Sequence, residues 1–267
     1  MSTSEALPVG SLLRDWRQRR HRTQLDLALG AGVSTRHLSY VETGRARPSR
    51  ELLLKLFDEL ELPLRERNRL LLAAGLAPQY AEQPIHGEDF SAARAAIGRL
   101  LQLHEPNPAL AVDPHWTVLL ANRPAQVLLG LVSPSLLTPP VNLLRLTLHP
   151  QGLAPHIRNL GEWRALLLER LRRQAAHSGD PLLAALHAEL LAFPAVATAP
   201  ESAAPAGPLP ELTLPLCLDT AVGTISLIGT VTVFGTPQDI TLSEVAIEVL
   251  YPADADSAAR LATLLAE

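Results

Sequence analysis

A short stretch near the N-terminus carries side chains whose types and spacing suit contact with nucleic-acid bases. Arg36 and Tyr40 stand one helical turn apart, as do Thr35 and Ser39, so a helix here would carry all four away from an apolar seam. An arginine guanidinium can donate two parallel hydrogen bonds to guanine O6 and N7, and hydroxyls can bind bases or phosphates. The spacing therefore predicts a face that reads the major groove of DNA.

Neighbouring residues extend this face toward the sugar-phosphate backbone. Gln24 opens the preceding predicted helix and can reach a phosphate or an adenine edge. Thr23 and Ser34 precede predicted helices, whose free backbone N–H groups attract phosphate oxygens. Arg45 and Arg47 follow on a loop, where they can neutralise the flanking backbone. The predicted DNA-binding residues are Thr23, Gln24, Ser34, Thr35, Arg36, Ser39, Tyr40, Arg45 and Arg47.

The charge distribution agrees with a polyanionic partner for the N-terminal part alone. Residues 1–80 hold 13 Lys+Arg and 9 Asp+Glu, a net of +4, whereas the remainder holds 10 and 18, a net of −8, within a chain of net −4. Chance variation among solvated faces explains such asymmetry equally well. The positive footprint would extend over preceding arginines, namely Arg17, Arg19, Arg20 and Arg22. We interpret His37 as solvated and Glu42 as a cap or the partner of an arginine.

A helix-turn-helix over residues 23–43 would position these side chains. Thr23 stands three residues before Asp26, as in a capping box, and Ser34 can cap the second helix. Gly32 supplies the positive φ that the tight turn requires. Inward apolar positions, including Leu38, form one seam. Because glycine turns and leucine-rich helices are common, a helix pair without a DNA role fits the bare pattern too, and the outward polar residues favour DNA binding.

The same stretch resembles a known class of DNA-binding domain. Residues 24–49, ending in Val-Glu-Thr-Gly-Arg-Ala-Arg-Pro-Ser, resemble the Xre/phage-repressor class of five-helix domains, and the likeness extends over residues 9–75. The resemblance implies that Gln24, Thr35, Arg36 and Ser39 contact double-stranded DNA. It also implies a homodimer on a palindromic operator, which the small interface of one such domain favours as well.

The rest of the chain alternates between strand-like and helical segments. Short strands are predicted at 109–113 and 117–121, and longer ones at 212–218, 223–234 and 245–250, with helices between them. This order predicts an α+β sensor-type domain behind an all-α head. The predicted domains are residues 1–78 and 91–267, joined by a linker at 79–90. Residues 194–210 hold five prolines and are predicted to be a loop.

Residues 91–260 resemble the C-terminal domain of MmyB-like transcription regulators. The likeness rests on His104-Glu-Pro-Asn-Pro-Ala-Leu with Trp116 and Asn122, Asn142-Leu-Leu-Arg with His149-Pro-Gln-Gly, Asn159 with Trp163, Phe234-Gly-Thr-Pro-Gln-Asp and Tyr251-Pro-Ala-Asp. The resemblance implies an α+β PAS-like fold with a ligand pocket, and a long-chain fatty acid or another apolar small molecule as the effector. The aliphatic composition of the domain permits this ligand, although a compositional bias toward Ala and Leu accounts for it equally well.

A bound carboxylate would need a cation or N–H donors. The candidate ligand-binding residues are Arg145, His149, Asn159, Trp163 and Arg170, with Arg158 as a further cation. The competing interpretation is that Arg145 and Arg170 tie helices to backbone carbonyls or to Glu169 and Glu189.

Metal and enzyme sites find little support in the sequence. Histidines 104, 115, 149 and 156 lack the paired spacing of metal ligands, and the only cysteine, Cys217, lies in an apolar strand. No H-E-x-x-H, G-x-S-x-G, P-loop or G-x-G-x-x-G motif occurs. No apolar run is long enough for a membrane span. We therefore expect a cytoplasmic bacterial transcription regulator that is not an enzyme, with a ligand-sensing C-terminal domain; a protein-interaction domain, as in an antitoxin-like adaptor, is the alternative.

Overall fold

A computed structural model gives the architecture of residues 9–82, 91–194, 213–234 and 239–266. The described residues divide into two compact units. The first comprises residues 9–82 with 239–243, and the second comprises 91–194, 213–234 and 244–266. The prolines of the predicted loop at 194–210 lie outside the described residues except for Pro194. None of the described helices is both long and apolar enough to cross a bilayer.

The first unit is a bundle of five helices, as the sequence predicts. The helices are α1 (Val9–Arg19), α2 (Gln24–Gly30), α3 (Thr35–Glu42), α4 (Arg50–Glu59) and α5 (Leu64–Ala73). Their apolar stripes bury one core, with Leu13, Leu27, Leu38, Leu53 and Phe57 fully enclosed. Because each stripe repeats every three or four residues, the opposite faces of the helices stay exposed, and they are mostly polar apart from Leu25, Leu29 and Leu72.

The second unit is α+β. Its helices are α6 (Ser91–Leu103), α7 (Arg123–Leu129), α8 (Leu143–Leu148), α9 (Leu160–Ser178), α10 (Pro181–Leu191) and α12 (Ala255–Ala266); of the short α11 (Ile240–Glu244) only the last residue belongs to this unit. Short 3-10 helices cover Pro134–Leu137 and Ala154–His156. The helices α8 and α11 have no counterpart in the sequence prediction, since each is shorter than two turns and shows too little periodicity.

Five antiparallel strands form a single sheet. They are β1 (Ala109–Val112), β2 (Val118–Ala121), β3 (Leu216–Thr220), β4 (Gly223–Val233) and β5 (Ala246–Pro252), in the spatial order β2-β1-β5-β4-β3. Both ends of every strand lie within four residues of the ends predicted from the sequence. The core of this unit is aliphatic apart from Trp116 and Trp163, and it packs α9 and α10 with strands β3 and β4.

Candidate nucleic-acid interface

The first helix of the helix-turn-helix begins with a closed capping box. The Thr23 hydroxyl accepts from the Asp26 backbone N–H at 3.1 Å, and the Asp26 carboxylate accepts from the Thr23 backbone N–H at 3.1 Å and from its hydroxyl at 2.7 Å. These hydrogen bonds to Thr23 hold the pKa of Asp26 below its ordinary value. The predicted capping box is confirmed, and it fixes where the chain enters α2.

The turn between the two helices depends on Gly32. This residue has φ +68°, in the left-handed region that glycine adopts without steric cost. The Val33 N–H then donates to the Ala28 carbonyl at 2.9 Å, and the Ser34 hydroxyl caps α3 by accepting from the His37 N–H at 3.1 Å. The turn and the cap therefore set the angle at which α3 leaves α2.

The outward face of α3 carries Arg36, Ser39, Tyr40 and Thr43. Leu38, Val41 and Glu42 are buried on the opposite side of the helix, so these four residues lie opposite the core. The prediction from sequence missed Thr43, which is the C-terminal cap of α3 and whose hydroxyl donates to the Ser39 carbonyl at 2.7 Å. Thr35 lies at the margin of this face and is half-buried.

Arg36 is held by Tyr40 in a defined orientation. Its Nε donates to the Tyr40 hydroxyl at 3.0 Å, and its guanidinium carbon lies 5.4 Å from the centre of the Tyr40 ring. Its two terminal nitrogens make no hydrogen bond to any residue that the structure describes. Arg45 reaches the same ring, at 6.0 Å. The face thus presents two guanidinium groups around one aromatic ring, an arrangement stabilised by cation–π attraction.

A buried ion pair joins α1 to the end of α3. Arg17 donates to Glu42 through Nε at 2.7 Å and through a terminal nitrogen at 2.9 Å. Only 1% of the Glu42 side chain and 11% of the Arg17 side chain is exposed. The hydrogen bond to Glu42 raises the pKa of Arg17. Glu42 is therefore the partner of an arginine, as one interpretation of the sequence had it.

Gln24 is fixed by the same carboxylate. Its Nε2 donates to a Glu42 carboxylate oxygen at 2.8 Å, which leaves the amide oxygen and the second amide hydrogen for another partner. The helix α1 approaches closely, since a Cβ on Gly10 would lie 2.3 Å from the Val41 carbonyl oxygen. The close approach and the ion pair together hold α1, α2 and α3 in register.

Two of the arginines predicted to extend the positive footprint are used inside the fold instead. Arg17 pairs with Glu42, and Arg20 donates to the carbonyls of Leu60 and Glu61 at 2.9 and 3.2 Å. Burial lowers the pKa of Arg20. Arg45 and Arg47, in contrast, are exposed beyond α3. The positive charge beside the outward face of α3 therefore comes mainly from the residues after it.

In the second unit all three candidate arginines are paired with carboxylates, and Arg158 meets Asp219 at 2.8 Å. Arg145 makes two hydrogen bonds with Glu189, at 2.7 and 2.8 Å, which raise its pKa and lower that of Glu189. Arg170 pairs with Glu248 at 2.7 Å and lies 4.5 Å from the centre of the Trp116 ring. The pairing of Arg145 with Glu189 confirms the structural interpretation, whereas Glu248 replaces the partner expected for Arg170. Sequence could not reveal a partner 78 residues away.

The other candidate ligand-binding residues differ in how their polar atoms are used. Asn159 accepts from the Cys217 N–H at 3.1 Å and donates to the Pro215 carbonyl at 2.8 Å, so it anchors β3. His149 Nδ1 accepts from the Gln151 N–H at 3.0 Å. Trp163 is 9% exposed, and its buried indole N–H has no hydrogen-bond partner among the described residues. A buried unpaired donor is uncommon, so Trp163 stands out from the set.

Other residues of interest have structural roles. Asn122 is buried and makes hydrogen bonds to the backbone of Ala109, Ala125, Leu101 and Asn107. Burial raises the pKa of the Cys217 thiol, as expected for a core residue. Among the described residues no group of three His, Cys, Asp or Glu side chains could hold a metal ion. Residues 235–238 of the Phe234–Asp239 motif lie outside the described residues.

Comparison with known proteins divides the chain in the same way. A helix-turn-helix family model matches residues 13–67, and a model described as the MmyB-like transcription regulator ligand binding domain matches residues 93–264. The second model describes a family of transcription regulators and not an enzyme family.

Individual relatives match the chain over shorter stretches. Uncharacterized HTH-type transcriptional regulators of Mycobacterium bovis and Mycobacterium tuberculosis are 39% identical over 80 residues, which is 28% of this chain. The match covers 31% of the length of these relatives. The crystal structure of the clp gene regulator ClgR from Corynebacterium glutamicum aligns with 37% of this chain and 90% of its own at 26% identity, with a TM-score of 0.23.

Proposed function

Because the chain belongs to the family defined by the ligand-binding domain of MmyB-like transcription regulators, we propose that it is a helix-turn-helix regulator that binds a palindromic operator as a homodimer. A small apolar ligand of its C-terminal domain, such as a fatty acid, would change its affinity for that operator. The observation that carries the DNA-binding part is the outward face of α3, where Arg36 is held by Tyr40 with both terminal nitrogens available.

The arrangement around Arg36 suits a guanine contact. Two parallel N–H groups on one guanidinium match the O6 and N7 acceptors of guanine in the major groove. Ser39 lies beside Arg36 on the same face and can serve a neighbouring base or a phosphate. Gln24, which the Glu42 carboxylate holds at the start of α2, would bind an adenine edge or a phosphate at the rim of the groove.

The backbone would be bound mainly at the helix N-termini and after α3. Thr23 and Ser34 leave backbone N–H groups of α2 and α3 at exposed helix starts. Arg45 and Arg47 follow α3 and are exposed, which suits phosphates that flank the reading helix. Such contacts supply affinity and fix the register, while the face of α3 supplies the choice of sequence.

The proposed ligand is mainly apolar, and its polar end would be bound without the candidate arginines, since these already have partners. Arg145 and Arg170 are paired with Glu189 and Glu248, so a carboxylate ligand would have to displace an internal carboxylate to use either one. The unpaired indole N–H of Trp163 is the available donor within an aliphatic core. A fatty acid that entered this core would direct its chain among leucines and its polar end toward that donor.

The proposed DNA binding is tested by selecting sequences from a random double-stranded library with the full chain. The enriched sequences are then footprinted. We expect two half-sites related by a two-fold axis and separated by about one helical turn. A matched Arg36→Ala selection should lose the preference at one base pair of each half-site. Enrichment of no sequence by the wild-type chain would refute the proposal.

The ligand part is tested on the same chain with lauric and palmitic acid as probes. We expect a rise in melting temperature with probe concentration and a change in operator affinity. Trp163→Phe keeps a smaller aromatic ring but removes the donor, so it should weaken the shift. If the melting temperature of Trp163→Phe rises as much as that of the wild type, the proposed role of Trp163 is wrong. If neither acid raises the melting temperature of the wild type, the proposed ligand class is wrong.

A further inference from the structure

The strand β4 is longer than the strand that flanks it on one side. Residues Leu227–Val233 pair with β5, but β3 pairs only with Gly223–Leu227. The remaining segment, Gly229–Val233, has no strand on its second side among the described residues. All five of its residues are exposed, Val231 by 46% and Val233 by 63%. We call this segment the free edge of β4.

The hairpin register shows which backbone groups point outward from the free edge. The two-residue turn after Thr220 makes Thr220 and Gly223 a hydrogen-bonded pair, and every second residue along β4 then faces the same side. By this alternation, Gly229, Val231 and Val233 direct their N–H and C=O groups away from β5. Thr230 and Thr232 direct theirs toward β5.

The free edge lacks the features that usually prevent strands from pairing with other chains. Protected edges carry lysine, proline or a bulge, or they are very short. The sequence Gly-Thr-Val-Thr-Val has no charge and no proline, and its pairing with β5 is regular over its whole length. Threonine and valine are also strong strand formers. The edge is therefore built to accept another strand.

We propose that the free edge of β4 pairs with the free edge of β4 in a second copy of the chain. The two strands would run antiparallel about a two-fold axis at Val231, so that Val231 faces its own counterpart. Thr230 would face Thr232 of the second copy, and Gly229 would face Val233. The pairing would form about six backbone hydrogen bonds and join two five-stranded sheets into one.

A second copy fits this edge better than a charged peptide would. The segment is close to palindromic, with valine opposite valine and threonine opposite threonine, pairs that stabilise antiparallel sheets. Residues 81–267 carry a net charge of −8 from 10 basic and 18 acidic residues, so two copies repel each other over most of this domain. Close approach costs least at a segment without charge. The inference rests on the proposed function, which requires a two-fold dimer on DNA.

Cysteine crosslinking of the full chain tests the register. Val231→Cys places one thiol opposite its counterpart, within the Cα separation that a disulfide accepts. Val233→Cys is the matched control, because it is exposed on the same edge yet would face Gly229. The native Cys217 is buried and its thiol pKa is raised, so it does not compete. Under mild oxidation we expect a covalent dimer of Val231→Cys, formed at least about tenfold faster than that of Val233→Cys. Equal rates, or no dimer of Val231→Cys, would overturn the proposal.

Proline substitution provides a second test, which needs neither an introduced cysteine nor oxidation. Val231→Pro removes an N–H that faces outward, and an edge strand tolerates this change. We expect a cooperatively folded monomer by light scattering, against a concentration-dependent dimer for the wild type. A Val231→Pro chain that still forms the dimer contradicts the pairing. If the chain protects a two-fold operator but Val231→Cys forms no crosslinked dimer, this interface alone is rejected. If Val231→Cys crosslinks but the chain selects no DNA sequence, the proposed function alone is rejected.

Discussion

The Arg17 guanidinium and the Glu42 carboxylate, 25 residues apart in sequence, meet through two hydrogen bonds of 2.7 and 2.9 Å beneath the DNA-facing surface. The pair links α1 to the end of α3, and the same carboxylate fixes Gln24 on α2. One buried acidic residue thereby orients three of the five helices of the first unit. The predictions below begin with this pair.

Glu42→Gln should strongly destabilise the first unit, because the Arg17 charge would stay buried without its counter-ion. Breaking a buried ion pair on one side costs about 3–5 kcal/mol. Urea unfolding followed by circular dichroism measures the change. Glu169→Gln is the matched control, since Glu169 is 42% exposed and pairs with Arg172 on the surface. Its cost should be far smaller because solvent screens an exposed pair, and equal losses for both variants would show that the Arg17–Glu42 pair is not a buried one.

Arg36→Ala should weaken operator binding by about 1–3 kcal/mol and relax the preference at one base pair in each half-site. The reason is the loss of a bidentate hydrogen bond from Arg36 to guanine. Titration of fluorescent operator and point-mutated operators at fixed salt gives both quantities.

Arg47→Ala is the contrasting variant for that measurement. Because Arg47 is proposed to bind phosphate, its loss should weaken binding to all DNA sequences alike. It should also reduce the slope of log affinity against log salt concentration by about one. If Arg36→Ala instead weakens every sequence equally, Arg36 binds the backbone and not a base.

Gly10→Ala and Gly98→Ala should change stability in opposite directions. A Cβ on Gly10 would lie 2.3 Å from the Val41 carbonyl oxygen, a backbone atom, so α1 and α3 would have to move apart. A Cβ on Gly98 in α6 meets nothing within 4 Å, and alanine is the better helix former by about 1 kcal/mol. Thermal unfolding of both variants measures the two changes, and stabilisation by Gly10→Ala would refute the close approach.

Stability should fall at low pH partly through Glu169. Its hydrogen bond with Arg172 lowers its pKa to about 2, below an unfolded value of about 4.3. A depressed pKa in the folded state stabilises the protein above the unfolded pKa, and that contribution is lost as the pH falls from about 4.3 to about 2. The urea midpoint of Glu169→Gln should therefore decline less steeply over this window than that of the wild type. Because the pair is exposed, high salt should shrink the difference, and identical pH profiles in low salt would contradict it.

Local features of the interface were predictable from the sequence because their causes are local. The Thr23 capping box, the Gly32 turn and the Ser34 cap each depend on residues three or four positions apart, and all occur in the structure. The abundance of Thr, Val and Ile likewise located β4 to within one residue of its end.

Features that join distant segments could not be predicted in this way. The partners of Arg17 and Arg170 come from other elements, and no periodicity records which carboxylate a guanidinium will meet. The unequal lengths of β3 and β4, which create the free edge, depend on where a ladder of hydrogen bonds stops. The short helix α8 is defined by the Asn142 cap and by its buried leucines rather than by a repeating pattern.

The bond between Arg36 and Tyr40 also has a thermodynamic consequence. A free arginine side chain loses about 1.5–2 kcal/mol of rotamer entropy when a partner immobilises it. Because Tyr40 already orders Arg36 in the unbound protein, most of that loss occurs on folding and not on association with the operator. Tyr40→Phe would transfer it to the binding step, where calorimetry would register a less favourable entropy at a nearly unchanged enthalpy.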